Sequence, residues 1–337
     1  MIALESTRPG TGGFPLEHHH VRGAADNMLH VVAAGKGPLV VLVHVFPESW
    51  RSWRYVLPAL AQAGYRAVAV DVRGYGGSDK PWPVSAYTIR ELAADILAVV
   101  DEFGGSPAVL VGHDWGAPQV YGAALIFPAE VRAVVGLSAP ASRPPTSDPF
   151  ERFASVYGDA FFYMSYFAEP GRAEAELEAD PARFLRRFVH AMAGDRAPGT
   201  PNPLRGPADR TTLLDDLPDP IRVPTWFDDT ELHWLASRFQ EGGLRGPLNR
   251  YRAQSLDVDQ LRPYADRTVE VPSLFIGGAA DPARYMVGDQ DRFADPLPIM
   301  TDVRGVHLVD GAGHWIQQEA PRAVLAHLLP FLQELSP

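Results

Sequence analysis

The chain has 337 residues, a net charge of −11 and no cysteine. That length suits one α/β domain carrying an insertion, and it is ample for a core that needs no staples. Without cysteine there are no disulfides, no thiolate catalysis and no cysteine-held zinc; the acidity speaks against nucleic acid, whose phosphates want a basic face.

Residues 1–25 read as an extended lead-in holding Gly, Pro and the run His18-His19-His20. That run lacks helical or finger spacing for a metal and reads as solvated. Met1 to Arg8 has no basic segment leading into an apolar one, so no signal peptide is expected. No stretch of about 18 apolar residues occurs, so no membrane span is expected and a cytoplasmic protein is. Strand signals rich in Val and Ala lie at about 28–33, 38–44 and 66–71. Pro38 to His44 is nearly all apolar, as a strand buried on both faces should be. Helical patterns fill the gaps. Ser52 to Ala63 places Trp53, Leu57, Leu60 and Ala61 on one face, and Thr88 to Phe103 does so with Ile89, Leu92, Ile96, Val99 and Val100. Further strands fit 107–112, 132–138, 271–277 and 305–309, with a helix at 117–127 and a last one at about 320–334. Strands alternating with helices predict an α/β fold with a doubly wound, mostly parallel sheet. From 141 to 255 the pattern is helical, lacks strand signals and is broken at Pro144-Pro145 and between Pro198 and Pro203. We expect a helical lid there, inserted into a core made of residues 1–140 and 256–337.

The most informative segment is Gly112-His113-Asp114-Trp115-Gly116, between a strand signal and a helix signal. Gly-x-nucleophile-x-Gly at such a junction is a nucleophile elbow. The usual Ser is replaced by Asp114. A carboxylate with a free pKa of about 4 needs no base to attack carbon at neutral pH, and the attack leaves an ester. Opening an epoxide or displacing a halide fits that chemistry. The ester must then be hydrolysed, which calls for a His to activate water and an acid to orient it. Asp281 follows a strand at its C-terminal end, and His314 sits in Asp310-Gly311-Ala312-Gly313-His314-Trp315 before the last helix. The order Asp114, Asp281, His314 is the expected one. Asp289, Asp291 and Asp295 lie near enough to compete for the acid's place.

These residues resemble a known family. From about residue 17 to its end the chain looks like an α/β-hydrolase-fold epoxide hydrolase. The likeness rests on Phe46-Pro47-Glu48-Ser49-Trp50, Asp71-Val72-Arg73-Gly74-Tyr75-Gly76, the Asp114 elbow, Gly246-Pro247-Leu248-Asn249 and Gly313-His314-Trp315. The resemblance implies an eight-stranded, mostly parallel sheet flanked by helices, with an inserted cap. It implies that Tyr163, leading Tyr163-Met164-Ser165-Tyr166-Phe167, and Tyr251, in Gly246 to Arg252, activate the epoxide oxygen. It implies oxyanion donors at the backbone N–H groups of Phe46 and Trp115, a substrate wall of Trp115, Phe46 and Pro47, and a cis bond before Pro47. The partners so implied are a small hydrophobic epoxide and water, with no cofactor or metal, in a monomer or homodimer. The rival in the same fold is a haloalkane dehalogenase; such enzymes carry Asn at the position of Phe46 and lack the tyrosine pair. One departure stands out. Where the family has His-Gly-x-Pro, this chain has His44-Val45-Phe46-Pro47. Either the loop tolerates Val45 and the pocket is reshaped, or activity and selectivity are altered.

Overall fold

The computed structural model describes residues 15–220, 223–287 and 290–335. In chain order it begins β1 (Glu17–Arg22), β2 (Met28–Ala34), β3 (Leu39–Val43), α1 (Val56–Gln62), β4 (Arg66–Val70), α2 (Ile89–Glu102), β5 (Ala108–His113), α3 (Gly116–Ile126) and β6 (Val131–Leu137). The chain then leaves the sheet. It forms α4 (Pro149–Tyr157), β7 (Phe161–Phe162), α5 (Tyr163–Ala168), α6 (Arg172–Leu177), α7 (Pro181–Met192), β8 (Arg205–Gly206), α8 (Asp229–Gly242), α9 (Arg245–Arg252) and α10 (Gln254–Leu261). It returns as β9 (Ser273–Gly278), β10 (Val303–Val309), α11 (Ile316–Glu319) and α12 (Pro321–Glu334).

The eight long strands form one sheet in the order β1-β2-β4-β3-β5-β6-β9-β10. β1 and β2 run antiparallel to their neighbours, and the rest are parallel. Both faces are covered, which is why β3 is apolar at every position. Val41 and Val43 face the cluster shared with Leu92, Ile96 and Val120 of α2 and α3, while Val40 and Leu42 face Leu57, Leu60 and Leu328 of α1 and α12. Among the described residues no helix is long and apolar enough to cross a membrane.

Because β6 and β9 are hydrogen-bonded neighbours, everything between them is an insertion in the sheet. Three of its helices, α4, α7 and α8, start on aspartate caps. Asp148 accepts from the Phe150 N–H at 2.9 Å, Asp180 from Arg183 at 2.9 Å and Asp228 from Thr230 at 2.9 Å. In the first two, Pro follows the cap at a helical position that has no use for an N–H.

Three expectations need correction. The lead-in contains β1, whose outward His18, His19 and His20 hide a strand with Val21 as its one buried side chain. The insertion, read as free of strands, holds the two-residue pair β7–β8. The helix expected at 52–63 is a 3₁₀ turn, Trp50–Trp53, followed by α1.

The sheet aligns its loops. Val43 pairs with Gly112, Gly112 with Gly136, Leu137 with Ile276, and Gly278 with Val309. The loops after β3, β5, β9 and β10 therefore leave from one C-terminal edge, where α/β sheets place ligands.

Candidate active site

Asp114 has φ +47°, a left-handed backbone that costs a non-glycine residue energy and marks a special position. The turn is held by neighbours. The Asp114 N–H donates to the Leu137 carbonyl at 3.0 Å, and the Asp114 carbonyl accepts from the Ala117 N–H at 2.9 Å. A side chain at Gly112 would strike the backbone of Gly116 and Ala117, and one at Gly116 would strike the Val43 carbonyl. Both glycines are thus required by close backbone approach, and together they lift Asp114 off the end of β5.

Asp281 and His314 converge on it. His314 Nδ1 lies 2.9 Å from Asp281 Oδ2, and His314 Nε2 lies 3.6 Å from Asp114 Oδ1. Asp281 Oδ1 accepts from the Ala283 N–H at 2.8 Å, so both its oxygens are engaged. Side-chain exposure is 21% for Asp114, 4% for His314 and 0% for Asp281, so Asp114 is the member open to a ligand. Burial pushes the His314 imidazole down, but the Asp281 carboxylate, its hydrogen bond, and the Asp114 and Glu48 charges outweigh it and lift the pKa to about 9. At neutral pH the resting ring is a cation between two carboxylates.

The loop carrying His314 is fastened to the insertion. The His314 N–H donates to the Met192 carbonyl at 3.0 Å, and the Trp315 indole to the Val189 carbonyl at 2.9 Å. The Glu319 carboxylate accepts from the N–H groups of Gly194, Gly313 and Trp315 at 2.8, 2.9 and 2.9 Å. Gly313 lies against Ala193 and Gly194, leaving no room for a β-carbon. On its other side the ring stands over His113, centroids 5.0 Å apart. His113 Nε2 donates to the His314 carbonyl at 2.8 Å, and its Nδ1 lies 2.9 Å from Glu48 Oε2. Glu48 also accepts from Gln318 at 2.6 Å and from Gln317 at 3.1 Å. His113 therefore points away from Asp114 and props the His314 backbone.

Above the carboxylate sit Tyr163, opening α5, and Tyr251, in α9. Their rings are 5.8 Å apart, and Tyr251 meets Trp115 at 5.7 Å and Phe46 at 5.9 Å. Burial first, then nearby negative charge including Asp114, pushes both phenols well above their ordinary range; Arg292 opposes this at Tyr163 and Trp115 at Tyr251. Both stay protonated and able to donate. Arg250, buried beside Tyr251, lies 4.9 Å over the Trp115 ring and pairs with Asp257, which accepts from the Ile89 N–H at 2.8 Å. These contacts tie α9 to the start of α2 and hold the Trp115 side chain.

The Phe46–Pro47 bond is cis, as the resemblance implies. Among the described residues neither the Phe46 N–H nor the Trp115 N–H donates to a backbone or side-chain acceptor. Val45 has no left-handed φ, and its side chain is buried in the cluster that holds Phe46. Its backbone has no need of glycine's freedom. His44 holds the loop from behind: Nδ1 donates to the Val45 carbonyl at 3.2 Å and Nε2 accepts from the Val72 N–H at 3.1 Å. Burial keeps that ring's pKa low, consistent with a neutral imidazole used as a brace.

Competing candidates fall away. Asp291 pairs with Arg284, Asp295 is exposed, and Asp289 lies outside the described residues. Tyr166 turns to Glu176 at 2.7 Å. Among the described residues no group of three His, Asp or Glu is arranged to hold a metal. Three residues near the site went unread in the sequence, namely Glu48, His113 as a prop, and Arg292. The Phe46 to Trp50 motif contains Glu48, and that was the available signal for it.

Comparison with known proteins agrees with the geometry. Residues 38–321 match the family described as alpha/beta hydrolase fold. Epoxide hydrolase A of Mycobacterium tuberculosis is 43% identical over 311 residues, covering 91% of this chain and 94% of that protein. A solved epoxide hydrolase from an endophytic Streptomyces is 40% identical with a TM-score of 0.88, covering 95% of this chain and 96% of that one. Epoxide Hydrolase A from Mycobacterium thermoresistibile is 40% identical with a TM-score of 0.87, covering 95% and 98%.

Proposed function

The chain belongs to the α/β-hydrolase fold family and, within it, to the epoxide hydrolases, and on that premise we propose that it converts epoxides to vicinal diols through an ester formed on Asp114. The observation that carries this reading is the meeting of one open carboxylate, a buried His–Asp pair and two buried phenols. Residues 141–255 serve as the lid that brings the phenols over the carboxylate.

Tyr163 and Tyr251 hold the oxirane oxygen. Asp114 Oδ attacks a ring carbon, the carbon–oxygen bond breaks, and one phenol gives its proton to the departing oxygen. Without that donor the leaving group is a bare alkoxide in a site that already holds two carboxylates. Esterification removes the Asp114 charge, and with it one of the influences that keep His314 protonated. His314 gives up its proton, which restores the phenol through solvent, and becomes a base. It then takes a proton from water, and the hydroxide adds to the Asp114 carbonyl carbon. The N–H groups of Phe46 and Trp115 face the resulting oxyanion. Collapse passes the acid proton to the diol oxygen and returns Asp114 to its carboxylate and His314 to its cation.

Two results follow. Tyr163→Phe and Tyr251→Phe should each slow ester formation by roughly 10²-fold, with hydrolysis of the preformed ester little changed, measured by rapid mixing under single-turnover conditions. Equal slowing of both halves would contradict their assignment. Asp114→Asn should bring the His314 pKa below its resting value of about 9, because a carboxylate that favours the cation is gone. Titration of the ring by NMR reads this directly, and an unchanged or higher value would contradict the proposed handover. The general test of function is product: diol from styrene oxide, with no halide released from a bromoalkane.

A further inference from the structure

β10 ends the sheet on one side, and among the described residues no strand pairs with its outer edge. Native sheets blunt such edges with lysine, proline or a covering element, because unpaired N–H and C=O groups recruit another strand. From Gly305 to Val309 this strand has neither lysine nor proline. The Val309 carbonyl accepts from the Ala279 N–H at 2.9 Å, on the β9 side. By alternation Gly305 and His307 also turn their backbone to β9, while Val306 and Leu308 turn theirs outward. The same two residues expose their side chains, at 43% and 40%. With Val303 they make three of the eight exposed large apolar side chains among the described residues.

Charge frames that apolar stretch. Arg304 precedes it and Asp310 follows it, and both are exposed. Arg304 Nε and Nη2 engage Asp302 at 2.5 and 2.8 Å, which leaves Nη1 for another acceptor. The Asp310 carboxylate has no hydrogen-bond or ion-pair partner among the described residues.

We propose that β10 pairs antiparallel with β10 of a second copy of this chain, about a two-fold axis at His307, and so joins two sheets into one. A two-fold contact must match a surface to itself. With His307 opposite His307, Val306 lies opposite Leu308 and Arg304 opposite Asp310, each twice. Val306 and Leu308 then exchange backbone hydrogen bonds, since both turn outward, and their side chains meet on one face. Opposite charges meet at both ends of the contact. The neighbouring registers that also bring outward backbone together fail. Centring on Val306 sets Asp302 against Asp310. Centring on Leu308 sets Val306 against Asp310, and Arg304 against the buried Ala312. The strand is its own complement in one register, which is the reason to name a second copy as its occupant. The proposal is independent of the reaction on Asp114.

The test is mass in solution, by sedimentation equilibrium, for the native chain, Arg304→Glu, Asp310→Arg, the double variant carrying both changes, and Leu308→Lys. The native chain should pass from the mass of one chain to that of two as concentration rises through about 1–100 µM, the range for a contact of one strand edge. Either single reversal sets like charges opposite each other at both ends and should raise the dissociation constant roughly 10-fold or more. The double variant exchanges the signs, restores both pairs and should return to within about 3-fold of native. Leu308→Lys should weaken the dimer roughly 10-fold or more, because it removes both apolar pairs. All these changes fall on exposed side chains, so melting temperatures should stay near the native value. A native chain that keeps the mass of one chain up to about 1 mM overturns the proposal. So does a dimer that Leu308→Lys leaves intact, which would place the contact elsewhere. Single reversals that weaken the dimer without rescue by the double variant overturn it too.

Discussion

Asp114→Asn is expected to lower diol formation by about 10⁴-fold or more, in line with the loss of other enzymatic nucleophiles. The amide has no charge to bring to carbon, and its nitrogen lone pair is tied up in resonance. The fold gives no competing reason for the loss. Asn is among the residues that best tolerate a left-handed backbone, and Asp114 sits at φ +47°. The hydrogen bonds that pin the turn are made by its backbone. The melting temperature should therefore move little while activity disappears. Deamidation would regenerate the native side chain, so intact mass must accompany the assay. A variant that is shown to be pure Asn and still turns over styrene oxide at the native rate removes Asp114 from the chemistry.

His314→Gln should separate the two halves of the reaction. Attack on the oxirane does not require the imidazole as a base, whereas ester hydrolysis does. The variant should consume about one equivalent of epoxide and stop, with turnover down by about 10³-fold. Its product is a substrate-sized mass increase on the peptide that contains Asp114. Gln is chosen over Ala because Asp281 is fully buried and loses its cationic partner. An amide donor limits the cost of a stranded charge, which breaking a buried pair otherwise sets at several kcal/mol. Rapid loss of all reactivity without an adduct, in a folded variant, would place His314 in the first half instead and sink the proposed sequence of events.

Much of the molecule was readable from the chain because its demands are local. A strand buried on both faces needs an apolar run, and β3 supplies one. An elbow too tight for β-carbons needs Gly112 and Gly116. A loop that meets a second backbone head-on needs Gly313. Such requirements leave marks in short segments, which is why Asp114, Asp281 and His314 could be named and ordered. What stayed hidden had no local mark. β1 is an edge strand whose outward positions are histidines, so it lacks an apolar rhythm. The β7–β8 pair is two residues long. Glu48 meets His113 across 65 positions and Gln317 across 269, and only the folded chain brings them together.

The fastening of the His314 loop has a practical corollary for protein engineering. With Gly313 set against Gly194 and one carboxylate, Glu319, gripping backbone on both sides of the seam, the two segments form a single interchangeable cassette. A chimera that imports residues 141–255 from a relative while keeping the native 311–319 would join surfaces shaped for different mates. Grafting both stretches together is the recombination boundary that this architecture permits.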